Sequence, residues 1–245
     1  MRKDHLKGMK IVYEDRDILV VDKPPRLLTM ASSTEKEKTA YHILTDYVRK
    51  GYAKSPRRIF IVHRLDRDTS GIVIFAKDER AKNILQEQWD KTEKKYLAVV
   101  HGQFPQKTGA ITSYLAENAA HVVYSTHDRS IGKLSTTSYR TVKETKGFSL
   151  LEVDLATGRK NQIRVHFAEK GHPIVGDQKY GGAPWRNPAR PVLRDWVRGE
   201  KDTLHKRMAL HAYSISFLHP WNGRRMILKT AVPAYFTDLV GDIIL

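Results

Sequence analysis

A polar motif, VHRLDRDTSG at residues 62–71, interrupts two apolar runs of the sequence. It places two carboxylates, Asp66 and Asp68, beside two arginines, Arg64 and Arg67. A carboxylate can form and release a covalent bond or stabilise a developing positive charge, and a neighbouring guanidinium keeps it ionised. The same composition also suits a tight turn whose polar side chains bond their own backbone. The motif alone therefore leaves a catalytic loop and a structural turn open.

Short strands alternate with a few helices around this motif. Residues 59–62 and 72–76 are rich in β-branched side chains, which predicts a buried strand on each side of the motif. Asp78 is expected to cap a following helix that carries Ala81, Ile84, Leu85 and Trp89 on one face. The motif is therefore predicted to be a loop held by two strands, which is where binding and catalytic groups concentrate.

The N-terminal part of the sequence shows the same alternation. Strands are predicted at residues 11–13 and 18–21, and Lys23-Pro24-Pro25 is expected to end the second strand. Apolar residues recur at helical spacing between residues 39 and 50, and Gly51 is a plausible stop. Few helices among many short strands indicate the α+β class.

The charge of the chain points to a polyanionic partner. The 245 residues contain 43 Lys and Arg against 27 Asp and Glu, a formal net charge of +16. Nucleic acid is favoured over a membrane surface because no apolar run is long enough to span a bilayer. The first ten residues lack the apolar core of a secretory signal, so a cytoplasmic protein is expected.

Cofactor motifs are missing from the sequence. The chain has no cysteine, and none of its histidines lies at HExxH spacing, so no metal is expected. Gly181-Gly182 could suggest a phosphate loop, but no GK[ST] follows. We expect no small-molecule cofactor.

Five distinctive segments follow one another along the chain: HRLDRDTSG at 63–71, KKY at 94–96, TGRKNQIRVH at 157–166, VGDQKYGG at 175–182 and RMALHA at 207–212. In this order they resemble the signature motifs of RNA pseudouridine synthases of the RluA type. The resemblance runs from about residue 11 to residue 236 and implies one catalytic domain over residues 1–245, without an N-terminal RNA-binding module of the S4 kind. It also implies a mixed, mostly antiparallel central sheet with flanking helices and a catalytic cleft across it, and a monomer.

The resemblance implies an activity and a set of roles. Such enzymes convert uridine in RNA, ribosomal or transfer, to its C5-linked isomer without a cofactor. Asp66 would be the catalytic aspartate, acting on ribose C1′ or on the uracil ring, and Arg164 would pair with it. Tyr96 would lie against the uracil and take part in proton transfer. Arg64 would enter the RNA where the target nucleotide leaves. A non-catalytic RNA-binding or ribosome-assembly protein on the same fold is the alternative.

Further RNA contacts are expected around the third motif and in a basic insertion. The resemblance assigns Arg159, Lys160 and Gln162 to RNA binding. Residues 183–207 are rich in Arg, Trp and Pro, which suits phosphate contact and base stacking but equally suits a surface loop with a tryptophan packed on the core. The arginines proposed there as RNA ligands are Arg186, Arg190, Arg194 and Arg198.

Two positions depart from the family pattern. Asn161 stands where histidine is usual in TGRxHQIR, and Arg26 stands where glycine is usual in KPxG. We expect the first change to alter a secondary RNA contact or a hydrogen bond. The second suggests a different conformation after Lys23-Pro24.

Overall fold

The structure is a computed structural model that describes residues 6–31, 35, 37–52, 54–181 and 207–245. Its elements in these ranges confirm the α+β class. In chain order they are β1 (Lys10–Glu14), β2 (Ile18–Lys23), α1 (Ala40–Arg49), β3 (Phe60–Ile61), β4 (Ser70–Ala76), α2 (Glu79–Glu87), β5 (Glu93–His101), β6 (Thr108–Glu117), β7 (Val123–Thr126), β8 (Lys133–Glu144), β9 (Phe148–Leu155), α3 (Gln162–Glu169), β10 (Leu210–Leu218), β11 (Arg225–Lys229) and α4 (Ala234–Val240).

The chain divides into two compact units. The first unit consists of Met1–Lys94 and Ala212–Ala231, and the second of Lys95–His211 and Val232–Leu245. The expectation of a single catalytic domain over residues 1–245 stays a prediction. No helix in the described ranges is long and apolar enough to cross a bilayer.

In the first unit, the strand order is β1-β2-β4-β10, with β3 paired to β4 and β11 paired to β10. The pairs β1/β2, β2/β4, β3/β4 and β10/β11 are antiparallel. All seven residues of β4 are buried, because apolar side chains cover both of its faces. The core of this unit is formed by Ile18, Val20, Val62, Ile72, Ile74, Ala76, Ala81, Leu85, Ile215 and Phe217.

Helix boundaries in the first unit follow capping rules. The side chain of Asp78 accepts from the amide of Ala81, as predicted from the sequence. Trp89 lies in a short 3₁₀ turn rather than in α2, because the helix ends at Glu87. Thr39 caps α1, and Lys50 ends it with a left-handed φ of 54°, one residue before the expected Gly51.

The second unit is a run of antiparallel strands in the order β5-β9-β8-β6-β7. Seven of the eight residues of α3 are buried, so this helix shows no apolar stripe for periodicity to detect. Val165 and Ala168 of α3 pack with Leu115, Val123 and Tyr180. The predicted mostly antiparallel sheet is therefore confirmed in both units.

Candidate active site

In the first unit, the loop between β3 and β4 presents Asp66 on a rigid turn. The amide of Thr69 donates to the carbonyl of Asp66 at 3.2 Å. The hydroxyl of buried Thr29 donates to the carbonyl of Leu65 at 2.9 Å and accepts from its amide at 3.2 Å. The residue before Asp66 is therefore fixed on both its backbone groups. Asp66 itself is half-buried.

Gly71, the last residue of the motif, allows two strands to approach closely. Its φ is +113°, and a Cβ placed there would lie 2.2 Å from the carbonyl oxygen of Ala212. No other residue type tolerates both this backbone conformation and this contact. The glycine of the motif therefore brings β4 against β10 at the end that carries the Asp66 loop.

Lys23 is a component of this loop whose role the sequence did not reveal. Its side chain is fully buried, and its ammonium donates to the carbonyls of Pro24 at 3.0 Å, Leu27 at 2.8 Å and Arg67 at 3.2 Å. Burial lowers the pKa of Lys23 to about 7, although the nearby carboxylates, Asp68 first among them and then Asp66, act to raise it. This lysine joins the residues after β2 to the Asp66 turn.

His63 supports the same loop from the other side. Its Nε2 accepts from the amide of Ile74 at 3.0 Å, and its ring stacks on Trp89 with centroids 4.4 Å apart. Desolvation, with Lys94 nearby, lowers the pKa of His63 to about 3. The ring is therefore neutral at physiological pH and acts as an acceptor.

The arginines of the motif point outward. Arg64 and Arg67 are exposed. One guanidinium nitrogen of Arg64 lies 3.3 Å from the sulfur of Met30, a weak contact that leaves the side chain accessible. Its surface position is compatible with a contact to RNA.

The second unit holds Tyr96 and Arg164. Tyr96 lies on β5 opposite Val153 of β9 and is half-buried. Arg164 is 7% exposed and makes a bidentate pair with Asp177, from Nε at 2.7 Å and from Nη2 at 2.8 Å. A bidentate pair fixes the plane of the guanidinium as well as its charge.

Asp177 is itself held by its own turn. One of its carboxylate oxygens also accepts from the amides of Lys179 at 2.9 Å and Tyr180 at 3.0 Å. The guanidinium of Arg164 lies 5.0 Å from the centroid of the Tyr180 ring. The VGDQKYGG segment thus supplies the carboxylate and the ring that orient Arg164. The sequence motif alone gives Asp177 no role.

Asn161 connects these groups. It takes a left-handed φ of 54° at the start of α3, a conformation that asparagine tolerates better than most residues. Its side chain accepts from Nη1 of Arg164 and donates to the hydroxyl of Tyr180, both at 3.0 Å. Asn161 thus bonds both Arg164 and Tyr180, and the effect expected from the departure from histidine stays a prediction.

Gln162 is buried and saturated by the protein. Its carbonyl oxygen accepts from the Arg159 amide and the Thr157 hydroxyl, and its NH2 donates to the Thr136 carbonyl and the Thr137 hydroxyl. A side chain that is 2% exposed and uses all its donors and acceptors has none left for RNA. We therefore assign Gln162 to fixing the start of α3 rather than to RNA binding.

The other expected RNA ligands differ in accessibility. Arg159 is exposed, and exposed Lys160 pairs with Glu117 at 2.5 Å. Arg186, Arg190, Arg194 and Arg198 lie outside the described residues. Arg26 is described, and its φ of 66° is the left-handed conformation that glycine favours, contrary to the expected change after Lys23-Pro24.

His166 centres a polar chain that anchors α3 in the second unit. Its Nδ1 lies 2.8 Å from the hydroxyl of Thr137 and its Nε2 lies 3.1 Å from that of Ser113. Ser113 in turn contacts Ser125 at 2.8 Å, whose hydroxyl donates to Glu169 at 2.5 Å. Burial lowers the pKa of His166 to about 4. The helix that carries Arg164 is thus bonded to β6, β7 and β8.

Among the described residues, one group of side chains could offer three ligands to a cation. It comprises Asp15, Asp17 and His219. Asp15 already accepts from the amides of Asp17 and Ile18 and from the hydroxyl of Tyr13, and it pairs with His219 at 2.7 Å. These bonds stabilise a turn between β1 and β2, and they give no reason to assign a metal.

The predicted catalytic residues are thus divided between the units. Asp66 and Arg64 belong to the first, and Tyr96 and Arg164 to the second. Each is carried by a segment whose neighbours are fixed by buried hydrogen bonds. The pairing of Asp66 with Arg164 stays a prediction.

Comparisons with known proteins identify the family. The RNA pseudouridylate synthase family profile matches residues 17–169. The chain is 34% identical to ribosomal large subunit pseudouridine synthase D of Pasteurella multocida over 236 residues, covering 95% of this chain and 70% of that protein. It is also 34% identical to an uncharacterized RNA pseudouridine synthase of Mycobacterium bovis, covering 94% and 71%.

The fold has a solved counterpart. Human RNA pseudouridylate synthase domain containing 4 matches with a TM-score of 0.71 at 22% identity, covering 93% of this chain and 90% of that one. This likeness concerns the fold, whereas the sequence relatives concern the activity, and they do not favour a non-catalytic RNA-binding protein. The chain belongs to the RNA pseudouridylate synthase family and is an RNA-modifying isomerase.

Proposed function

We propose that this enzyme isomerises uridine in large-subunit ribosomal RNA. The relatives at 34–35% identity include several named ribosomal large subunit pseudouridine synthase D, which supports ribosomal over transfer RNA. The excess of 43 basic over 27 acidic residues supports a large polyanionic substrate. Transfer RNA is the competing substrate.

We further propose that Asp66 is the catalytic residue. The reaction breaks the bond between N1 of uracil and C1′ of ribose, forms the bond between C5 and C1′, removes the proton from C5 and returns a proton to N1. A carboxylate can assist at C1′ as nucleophile or as a counter-charge, or it can add to the ring. The observation that carries this proposal is the position of Asp66 on a turn clamped by Thr29 and Lys23.

Arg164 and Tyr96 complete the proposed chemistry. Arg164 would keep the Asp66 carboxylate ionised and oriented, and its guanidinium plane is already fixed by Asp177. Tyr96 would stack on the target uracil and move the C5 proton through its hydroxyl. Arg64 would fill the gap that the extracted nucleotide leaves, which suits its exposed position. Arg159, Lys160 and the four arginines of the insertion would contact phosphate.

The test measures release of tritium from C5-labelled uridine in transcripts of large-subunit ribosomal RNA and of transfer RNA. We expect release from the ribosomal transcript, and at least a 10³-fold loss of turnover in Asp66→Asn with RNA affinity within a few-fold. Asp90→Asn, a change of the same kind at an exposed carboxylate of the first unit, is the matched control and should retain most turnover. Activity confined to transfer RNA would overturn the substrate, and turnover near wild type in Asp66→Asn would overturn the role.

A further inference from the structure

An exposed tryptophan in the first unit lies between two arginines. Trp221 is in the turn between β10 and β11 and is 62% exposed. The guanidinium carbons of Arg16 and Arg80 lie 5.7 Å and 5.5 Å from the centroid of its ring. Neither arginine forms an ion pair within 4.0 Å in the described part of the chain. Tryptophan and arginine are the residue types most enriched at the energetic centres of binding surfaces.

The tryptophan borders a concave space of about 300 Å³, a volume at the lower end of small-ligand sites. Two carboxylates, those of Asp17 and Asp78, also face this space. Asp78 accepts from the Ala81 amide as the cap of α2, and a carboxylate oxygen of Asp17 lies within 4.8 Å of His219 and Asp15. The lining residues are Arg16, Asp17, Asp78, Arg80, Ala81, Ile84, Pro220 and Trp221.

The turn that carries Trp221 is fixed in place. His219 pairs with Asp15 at 2.7 Å, and the amide of Trp221 donates to Nδ1 of His219 at 3.3 Å. A preformed aromatic surface loses little conformational freedom when a ligand stacks on it. This favours a binding role over a merely mobile surface residue.

The position of this space relative to Asp66 follows from the strand register within the first unit. Lys23 pairs with Gly71 at the Asp66 end of β2 and β4, and Ile18 pairs with Ala76 at the other end. The amide of Lys77 donates to the carbonyl of Asp17 just beyond that far end. Five residues at about 3.3 Å each separate the two ends, so the two places are at least about 17 Å apart.

We propose that Trp221, Arg16 and Arg80 form a second RNA contact that takes one unpaired nucleotide of the substrate, remote from the target uridine. The base stacks on the indole, and the guanidiniums exchange their contacts with the ring for the flanking phosphates. RNA is the occupant because the proteins of this family act on RNA and the two charged side chains against the indole are cationic. The proposal rests on the RNA substrate proposed above. This second RNA contact adds affinity for longer RNA and takes no part in the isomerisation.

The test compares two RNA fragments, a short hairpin that contains only the target loop and a longer fragment extended by unpaired nucleotides on both sides. We expect Trp221→Ala to raise the dissociation constant for the longer fragment about 5- to 100-fold and that for the short hairpin less than twofold. Turnover on saturating short hairpin should stay within twofold of wild type. Trp221→Phe should recover most of the affinity, because it keeps an aromatic face.

Charge removal gives an independent readout. The double variant Arg16→Gln with Arg80→Gln should lower the slope of log affinity against log salt by about 1 to 2 for the longer fragment. Arg140→Gln, which removes one exposed arginine from β8 in the second unit, is the control and should leave the difference between fragments intact. Unchanged affinity of Trp221→Ala for the longer RNA would overturn the proposal and favour a protein partner. Loss of turnover on the short hairpin at normal affinity would also overturn it.

Discussion

Lys23 illustrates how a single residue can organise a site without facing the substrate. Its ammonium has three donors, and three carbonyl groups accept them, two directly after β2 and one in the Asp66 turn. A buried cation of this kind is stabilised by carbonyl dipoles and by neighbouring carboxylates, which offset only part of its desolvation. The distance from β2 to the Asp66 turn is therefore set by one side chain.

At this scale we expect Lys23→Met to cost about 2–4 kcal/mol in the free energy of unfolding, because it leaves three carbonyls without their donor. Turnover should also fall at temperatures where the variant is folded, since the Asp66 turn loses the hydrogen bond between Lys23 and the carbonyl of Arg67. Urea unfolding and tritium release measure the two effects. Lys95→Met removes a partly exposed lysine that pairs with Glu152 at 3.4 Å, and it should cost less than about 1 kcal/mol. Equal costs in both variants would contradict the role of Lys23.

The sequence could predict Asp66 and Arg164 as candidates but could not predict the partners of Lys23. Asp66 and Arg164 were identified from the order of the sequence motifs that contain them, which the amino-acid sequence shows directly. The acceptors of Lys23 are backbone carbonyls, which every residue type carries, so no pattern of side chains marks them. A lysine after four apolar residues, ILVVDK, was the available signal. Gln162 shows the opposite case, because the resemblance implied an RNA contact for a side chain that is buried.

Among the elements, β4 depends on close backbone packing. Gly71 allows the carbonyl of Ala212 to approach to a distance that any Cβ would block. All seven residues of β4 are then buried in the first unit, and the Asp66 turn precedes the strand at this same end. The packing of β4 against β10 therefore also determines where the Asp66 turn lies.

We expect Gly71→Ala to destabilise the protein by at least about 3 kcal/mol, since it combines a positive φ with a backbone clash. Thermal unfolding with and without the change measures this loss. Gly147→Ala is the matched control, because a Cβ there would meet nothing within 4 Å, and it should shift stability by less than about 1 kcal/mol. A Gly71→Ala protein as stable as the control would show that β4 and β10 can separate without cost.

Element prediction succeeded where local rules apply. Asp78 caps α2 and the apolar runs form β2 and β4, because capping and β-branched clustering act over a few residues. Arg26 was misjudged because it takes a left-handed φ of 66°, a conformation that local propensity assigns to glycine rather than to arginine. No apolar stripe marks α3, because both sides of this helix are covered.

On the scale of the whole molecule, buried neutral histidines make stability depend on pH. The pKa of His166 is lowered to about 4 and that of His63 to about 3, against about 6.5 in the unfolded chain. At a pH between the folded-state pKa and the unfolded-state pKa of each histidine, the unfolded chain binds a proton that the folded protein does not. The contribution of these two histidines to stability is therefore fully present above about pH 6.5 and decreases as the pH falls towards 4.

We expect His166→Gln to lower the slope of the free energy of unfolding against pH by about 1.4 kcal/mol per pH unit between pH 6 and pH 4.5, because the unfolded chain then takes up one proton fewer. The variant should be less stable than wild type at pH 7, because glutamine replaces one of two hydrogen bonds imperfectly. Urea unfolding across this pH range gives the slope for each protein. His42→Gln, on the exposed side of α1, should keep the wild-type slope. Identical slopes in wild type and His166→Gln would assign the sensitivity elsewhere.

The interleaving of the two units has a consequence for synthesis on the ribosome. The first unit needs Ala212–Ala231, so its opening part, Met1–Lys94, emerges long before its last strands do. Ala76 pairs with β2 on one edge and with β3 on the other, which leaves the rest of the second edge of β4 for β10. At about 5–20 residues per second, that apolar edge waits on the order of ten seconds for its partner. The nascent chain is thus most exposed to aggregation through this unpaired strand edge before translation reaches β10.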